Sequence, residues 1–114
     1  MADLNHLHLH VKSLARSQRF YESWFGFREH ARHGDVLLLR DGKEFDLALF
    51  PDPKPARLPE WFHLGFRLPT ATDVHAFHAR MKSLKSRGKI HTEPGYVSFR
   101  LRDPDGHGIE VYWE

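Results

Sequence analysis

Cysteine is absent from this 114-residue chain, so it has no disulfide framework, thiolate nucleophile or cysteine-rich zinc site. Long apolar runs are absent too, because no stretch approaches the roughly 18 residues that would span a bilayer. The N-terminus MADLNHLHLH also lacks the pattern of a secretory signal. We therefore expect a soluble, cytoplasmic protein without a membrane partner.

Clustered charge is scarce as well. The chain has 17 Lys and Arg against 15 Asp and Glu, and the basic residues are scattered along it. This pattern gives no indication of nucleic-acid binding. The chain is instead rich in histidine, with 10 copies, and in aromatic residues, at 13%. The position of each histidine in the predicted strands and helices must therefore identify the functional ones.

An internal repeat divides the chain into halves. The segment LNHLHLHV (residues 4–11) aligns with WFHLGFRL (61–68) at an offset of 57 residues, which pairs His6 with His63. A helical pattern follows each segment. The first helix is predicted to begin after Ser13 and end at Gly26, and the second to begin after Thr70 or Thr72 and end at Gly88.

Each half then continues as a β-hairpin. VLLLRDGKEFDLALF is predicted to turn at Asp41-Gly42 in a two-residue type I′ turn. VSFRLRDPDGHGIEVYWE is predicted to turn at residues 103–106 in a type I turn. Shorter strands near residues 27–31 and 89–92 complete two β-α-β-β-β modules.

These elements predict an α+β fold in which two tandem β-α-β-β-β modules form a curved mixed sheet with helices on its outer face. We expect residues 1–114 to be a single domain, with module one at 1–50, a Pro-rich linker at 51–60 and module two at 61–114. A module of about 55 residues is hard to stabilise alone. The two modules must therefore share a sheet or pair with another chain.

Side chains alternate between the two faces of a strand, so each strand separates into an apolar and a polar set. The apolar sets would pack against the helices. The polar face would carry His6, His8, His10, Asp46, His63, Gly65, Arg67, Ser98, Arg100, Arg102, Glu110, Tyr112 and Glu114.

Three residues of the polar face form a candidate metal site. His6 and His63 occupy equivalent positions of the repeat, and Glu110 lies on the last strand of module two. Two neutral imidazoles and one carboxylate make a facial triad that suits divalent Fe, Mn, Zn or Ni and leaves positions open for substrate oxygens. A solvated outer sheet face would look equally polar.

The segments NHLHLHV, FHLGFRL and DPDGHGIEVYWE together resemble the vicinal oxygen chelate superfamily, over the whole chain. This superfamily includes glyoxalase I, fosfomycin- and bleomycin-resistance proteins and extradiol dioxygenases. The resemblance implies a divalent metal ion held by His6, His63 and Glu110. It also implies a homodimer whose cleft takes His6 from one subunit and the other two ligands from its partner.

The chain also departs from the named activities. Glyoxalase I has a fourth ligand in module one, and alignment of FDLALF with IEVYW by apolar parity places Asp46 there, although a solvated or salt-bridged Asp46 is the favoured interpretation. Arg100 replaces a Tyr ten residues before the metal-binding Glu. The second-sphere His of the ring-cleaving enzymes is missing from FDLALF.

Three further residues of the polar face are candidates for catalysis. His8 could act as a general acid or base, or be a solvated strand residue like His10. Arg100 would bind an anionic substrate, and Tyr112 would donate a hydrogen bond to a bound oxyanion or be a rim aromatic.

The other basic residues have simpler interpretations. Arg67 or Arg102 would add positive charge to the cleft or pair with Glu114 or Asp103, and His107 would be structural. The remaining histidines are expected on helix surfaces or in loops: His30, His33, His75, His78 and His91.

Three functional hypotheses follow. The first is a small metalloenzyme, of lyase, transferase or dioxygenase type, that binds an anionic substrate through two vicinal oxygens. The second is a drug-binding protein without turnover, whose cleft relies on aromatics such as Trp24, Trp61 and Tyr96. The third is a non-catalytic sensor of a metal or small molecule.

Overall fold

A computed structural model describes all 114 residues, which divide into two compact units at residues 56 and 57, within the Pro-rich segment. Each unit has one helix and one four-stranded mixed sheet in the order β-α-β-β-β. The predicted α+β class and tandem modules are therefore confirmed, with one sheet in each module. That the modules form a single domain stays a prediction. Neither helix has the length and apolarity needed to cross a membrane.

Unit one forms a sheet with strand order β1-β4-β3-β2, in which β1 and β4 run parallel. Its elements are β1 (His6–Val11), α1 (Leu14–Phe25), β2 (Arg28–His33), β3 (Val36–Arg40) and β4 (Asp46–Pro51).

Helix α1 begins and ends where the sequence predicts. The side chain of Ser13 accepts a hydrogen bond from the backbone N–H of Arg16, which satisfies one free donor of the first turn. Gly26 closes the helix with a φ of 73°, a left-handed conformation that glycine adopts without steric cost.

The connection between β3 and β4 is a five-residue loop, so the predicted type I′ turn at Asp41-Gly42 is wrong. The carboxylate of Asp41 accepts hydrogen bonds from the backbone N–H groups of Lys43 and Phe45, both at 2.8 Å. These bonds widen the turn. The positive φ falls at Glu44, at 63°, and not at Gly42.

Unit two repeats the same order as β5-β8-β7-β6, with β5 and β8 parallel. Its elements are β5 (His63–Arg67), α2 (Ala71–Arg80), β6 (His91–Glu93), β7 (Tyr96–Arg102) and β8 (Gly108–Trp113).

Helix α2 starts at the first of the two predicted caps but ends early. Thr70 accepts a hydrogen bond from the N–H of Asp73, whereas the helix ends at Arg80 and not at Gly88. The apolar spacing continues beyond Arg80 because the following turns still bury Met81. Gly88 instead lies against β7, where its N–H donates to the carbonyl of Arg100 at 2.7 Å. A Cβ on Gly88 would lie 3.1 Å from that oxygen, so the site favours glycine.

The loop between β7 and β8 has the same design as the loop of unit one. The carboxylate of Asp103 accepts from the N–H groups of Asp105 and His107, and the N–H of Gly106 donates to the carbonyl of Asp103, as in the predicted turn. Gly106 has the positive φ, at 87°, in the place that Glu44 takes in unit one. Asp103 and His107 are buried.

One face of each sheet is apolar, as the alternation predicts. Burying these side chains provides the main stabilising free energy of each unit. The buried strand residues include Leu9, Val11, Leu37, Leu39, Leu47 and Leu49 in unit one, and Leu64, Val97, Phe99, Leu101, Ile109 and Val111 in unit two.

Candidate functional site

His63 is oriented as a metal ligand would be. Its Nδ1 lies 3.0 Å from the backbone carbonyl oxygen of Trp61. Because a carbonyl only accepts, Nδ1 carries the hydrogen, and in the neutral imidazole Nε2 has a free lone pair. Metal-binding histidines are usually held in this way through their second nitrogen.

Glu110 lies beside His63. Its Oε1 is 3.6 Å from His63 Nε2, which is too far for a hydrogen bond. When the imidazole is neutral, this oxygen faces the lone pair of Nε2. Its Oε2 accepts a hydrogen bond from the hydroxyl of Tyr96. This bond to the Glu110 carboxylate raises the pKa of Tyr96 above its ordinary value. The His63 and Glu110 side chains are 30% and 14% exposed, so a ligand can reach both.

An open cleft of about 510 Å³ lies on the same face of unit two. Its polar lining includes Lys89, His91, Arg100 and Glu110. His91 is paired with Glu93 at 2.7 Å, whereas the Arg100 side chain has no hydrogen-bond partner. Lys89 and Arg100 bring two positive charges to the cleft against the one carboxylate of Glu110, and this balance favours an anionic ligand.

The sequence analysis named Tyr96 only as a cleft aromatic of the binding-protein hypothesis and missed its contact with Glu110. Strand alternation, which places Tyr96 on the same face as Ser98 and Arg100, was a usable signal for that contact. The short strand predicted near residues 89–92 did not identify Lys89 and His91 as cleft residues, because such a short segment has no clear alternation. The prediction of His91 as a helix-surface or loop residue is wrong, since it begins β6 and lines the cleft.

His6 is the exposed first residue of β1 in unit one, and it pairs with Asp46 on β4. Both oxygens of Asp46 accept hydrogen bonds from the Arg40 guanidinium, at 2.7 and 3.0 Å. These bonds hold the pKa of Asp46 below its ordinary value. Asp46 is thus salt-bridged, which agrees with the favoured interpretation and leaves no free carboxylate beside His6.

Strand register also corrects the proposed equivalence of Asp46 with Glu110. His6 pairs with Asp46, and His63 pairs with Gly108, so Asp46 corresponds to Gly108. Two residues further along, the partner of His8 is Ala48, and the partner of Gly65 is Glu110. Ala48, which has no ligand atom, therefore occupies the position equivalent to Glu110. A shift of two residues leaves every side chain on the same face of the sheet, so the alternation of apolar and polar residues could not reveal it.

His8 and His10 follow His6 on the same face of β1. Their rings lie 5.3 Å apart edge to face, and His10 Nδ1 lies 2.9 Å from a carboxylate oxygen of Asp52. The ring of Phe50 packs near both. His8 is exposed and forms no hydrogen bond, so its imidazole is available for proton transfer.

The other predicted residues of unit two have separate roles. Arg67 donates to the backbone carbonyl of Glu114 and Arg102 to that of Gly106, so both arginines satisfy backbone oxygens. Tyr112 lies two residues after Glu110, with its ring 6.4 Å from that of Tyr96 and its hydroxyl unbonded. The Tyr112 hydroxyl is therefore free to donate to a ligand.

The remaining histidines are structural or exposed. His107 is buried in the β7–β8 loop. His78 is half-buried, stacks edge to face on Phe99 and donates from Nε2 to the carbonyl of Gly88 at 2.9 Å, so its prediction as a surface residue is wrong. His30 and His33 lie on strand β2, so their prediction as helix-surface or loop residues is wrong. His75 is exposed on α2, as predicted.

His63 and Glu110 fit a divalent transition metal as two of its ligands, but unit two supplies no third ligand beside them. No three His, Asp or Glu side chains of the chain form a group that could hold a metal ion. His63 and Glu110 supply one nitrogen and one oxygen, donors that suit Zn, Fe, Mn or Ni. Two ligand atoms of a tetrahedral zinc lie about 3.4 Å apart, close to the separation of this pair.

Comparison with known proteins agrees with the fold. A possible glyoxalase from Bacillus cereus is 25% identical, with a TM-score of 0.81 over 97% of this chain and 98% of that one. The fosfomycin resistance protein FosX from Listeria monocytogenes is 18% identical, with a TM-score of 0.87 over 100% and 94%. A lactoylglutathione lyase from Agrobacterium tumefaciens is 21% identical, with a TM-score of 0.76 over 99% and 94%.

At these last two identities the likeness concerns the fold alone. Comparison with the curated proteins gave no match. Residues 3–111 match the family model of the Glyoxalase/Bleomycin resistance protein/Dioxygenase superfamily, which is nearly the whole chain. Two β-α-β-β-β modules and a His–Glu pair on one sheet face are consistent with that match, and the chain therefore belongs to this superfamily.

Proposed function

We propose that the protein is a small metal-dependent enzyme that binds an anionic substrate through two vicinal oxygens. His63 and Glu110 would hold the divalent metal, with His6 as the third ligand. The main support is the orientation of His63, whose Nδ1 is held by the carbonyl of Trp61 and whose Nε2 faces Glu110 Oε1 at 3.6 Å. A divalent cation would be attracted to this carboxylate oxygen and to the Nε2 lone pair of the neutral imidazole.

The superfamily itself supports a metal, since its members typically use a divalent ion. Such an ion, when bound, acts as a Lewis acid on negative charge that develops on the substrate. The residues of this chain would bind and orient that substrate. Arg100 and Lys89 attract its anionic group, Tyr112 donates a hydrogen bond to an oxygen, and His8 accepts or donates a proton.

The reaction type is open among lyase, transferase and dioxygenase chemistry, because the structural neighbours include a lyase, a resistance protein and the oxidase ChaP-H2. A homodimer in which a second copy supplies His6 is part of the proposal. It is supported by the lack of any group of three potential His, Asp or Glu ligands within one copy of the chain, since His63 and Glu110 need a third ligand.

Metal analysis of untagged protein tests the proposal. We expect close to one equivalent of a transition metal per chain, lost in His63→Ala, Glu110→Ala and His6→Ala. His75→Ala is the matched control, because this exposed histidine on α2 lies outside the site and should leave the metal content unchanged.

Less than about a tenth of an equivalent of metal, with no uptake on reconstitution, would contradict the proposal. A ligand that raises the melting temperature equally in wild type and His63→Ala would favour the alternative, a binding protein without turnover. Loss of metal only in the His6 variant would assign the site to unit one and remove Glu110 from it.

A further inference from the structure

We infer that Tyr96 is a positioning residue that occupies one oxygen of Glu110, so that only the other oxygen is offered to a metal ion. The inference rests on the proposed function, because it concerns the same site. It adds a residue that the sequence analysis treated only as a possible aromatic contact for a drug-like ligand.

The two oxygens of Glu110 have different partners. Oε2 accepts a hydrogen bond from the Tyr96 hydroxyl, and Oε1 faces Nε2 of His63. A carboxylate without such a bond can rotate and bind a metal through one oxygen or both. The Tyr96 bond fixes this rotation and directs Oε1 towards the imidazole.

The strand geometry explains how Tyr96 reaches Glu110. On the β7–β8 ladder, Glu110 pairs with Arg100, and Tyr96 lies four residues before Arg100 on the same face. The tyrosine side chain must therefore reach along the face past Ser98, which is small and buried. A larger residue at position 98 would block this path.

Tyr96 and Glu110 thus resemble an arrangement found in metal sites, in which a hydrogen-bond donor outside the ligand set orients a ligating carboxylate. His63 has an equivalent outer partner, the carbonyl of Trp61. Each of the two potential ligands of unit two is therefore held through one atom, Nδ1 of His63 or Oε2 of Glu110. Their other atoms, Nε2 and Oε1, face each other. A carboxylate that only stabilised the fold would not need different partners for its two oxygens.

Titration of wild type, Tyr96→Phe and Thr92→Val with zinc or cobalt tests the inference. Tyr96→Phe removes the hydroxyl and should weaken metal affinity by about 10- to 100-fold, as loss of an outer partner typically does. Thr92→Val removes an exposed hydroxyl on β6 that does not line the cleft, and it should leave the affinity unchanged. The visible spectrum of the cobalt protein should change only in Tyr96→Phe.

The melting temperature of the metal-free protein separates positioning from folding, and it should be similar in all three proteins. Affinity within about threefold of wild type and an unchanged cobalt spectrum in Tyr96→Phe would overturn the inference, while metal binding itself stood. Equal weakening in both variants would also overturn it. Wild type that takes up no metal would instead refute the proposed function on which the inference rests.

Discussion

The buried loop between β7 and β8 should be a major determinant of stability. Asp103 is 5% exposed, and its Oδ1 accepts two backbone hydrogen bonds at 2.9 Å, from Asp105 and from His107, which is 4% exposed. A hydrogen bond to a charged group contributes about 1.5–3 kcal/mol to stability. Asp103→Ala breaks two of them and leaves a buried N–H without its partner.

We therefore expect Asp103→Ala to lower the free energy of unfolding by about 3–6 kcal/mol, a large part of a typical 5–15 kcal/mol. Asp41 provides a matched control, because it accepts the same two bonds in unit one from a more exposed loop. Water can replace those bonds, so Asp41→Ala should lower the free energy of unfolding by only about 1 kcal/mol.

Urea unfolding followed by circular dichroism measures both variants, and hydrogen exchange reports directly on the amide of His107. That amide should exchange faster in Asp103→Ala than in wild type. Asp103→Asn keeps an acceptor oxygen without the charge and should lose about half as much stability. Equal losses in Asp103→Ala and Asp41→Ala would refute the argument that burial sets the magnitude.

Three other changes have defined outcomes. Glu44→Gly should stabilise unit one by about 0.5–1 kcal/mol in urea unfolding, because Glu44 has a φ of 63°, and Gly106→Ala should destabilise unit two by about as much. Arg40→Ala should raise the pKa of Asp46 towards its ordinary value in an NMR titration. Because the folded-state pKa is lowered, wild type has this stabilisation in full above the ordinary carboxyl pKa and loses it as pH falls through the folded value. Arg100→Ala should weaken binding of an anionic ligand by about 10- to 100-fold, measured by calorimetry.

Each of these changes has a control or a contrary outcome. Arg57→Ala removes the same charge outside the cleft. Equal weakening of anion binding in Arg57→Ala and Arg100→Ala would indicate that the overall charge of the protein attracts the anion, and not a specific contact with Arg100. No change in the Asp46 titration would show that Arg40 does not hold that carboxylate in solution. A Glu44→Gly variant less stable than wild type would show that Glu44 makes a contact worth more than its backbone strain.

Much of the fold followed from the sequence because each element had two agreeing signals. Ser13 and Gly26 mark the two ends of helix α1 both in the sequence and in the structure. The alternation of apolar and polar residues identified the buried face of the strands. The errors occurred where one side chain overrides a local pattern. The carboxylate of Asp41 widens a turn that Asp-Gly alone would close in two residues.

The candidate site was predictable only in part. Repeat alignment and parity selected His63 and Glu110, which lie side by side, because both are set by strand position. The contact of Tyr96 with Glu110 was missed because it spans four residues along the strand and depends on the length of a side chain. Lys89 and His91 come from a segment whose path depends on Gly88 pairing with Arg100, which no local pattern encodes.

The two modules share a backbone plan but not a set of donors. Register makes Leu38 equivalent to Arg100 and Ala48 equivalent to Glu110, so unit one has apolar residues where unit two has charged ones. The acidic residue that unit one does place on this face, Asp46, is bound through both oxygens by Arg40. On β8, Glu110 keeps an oxygen that faces a histidine nitrogen at 3.6 Å without a hydrogen bond. Because Glu110 is the one carboxylate that β8 offers there, a metal bound by unit two would take histidine as its other protein ligand type, as in a two-histidine, one-carboxylate set.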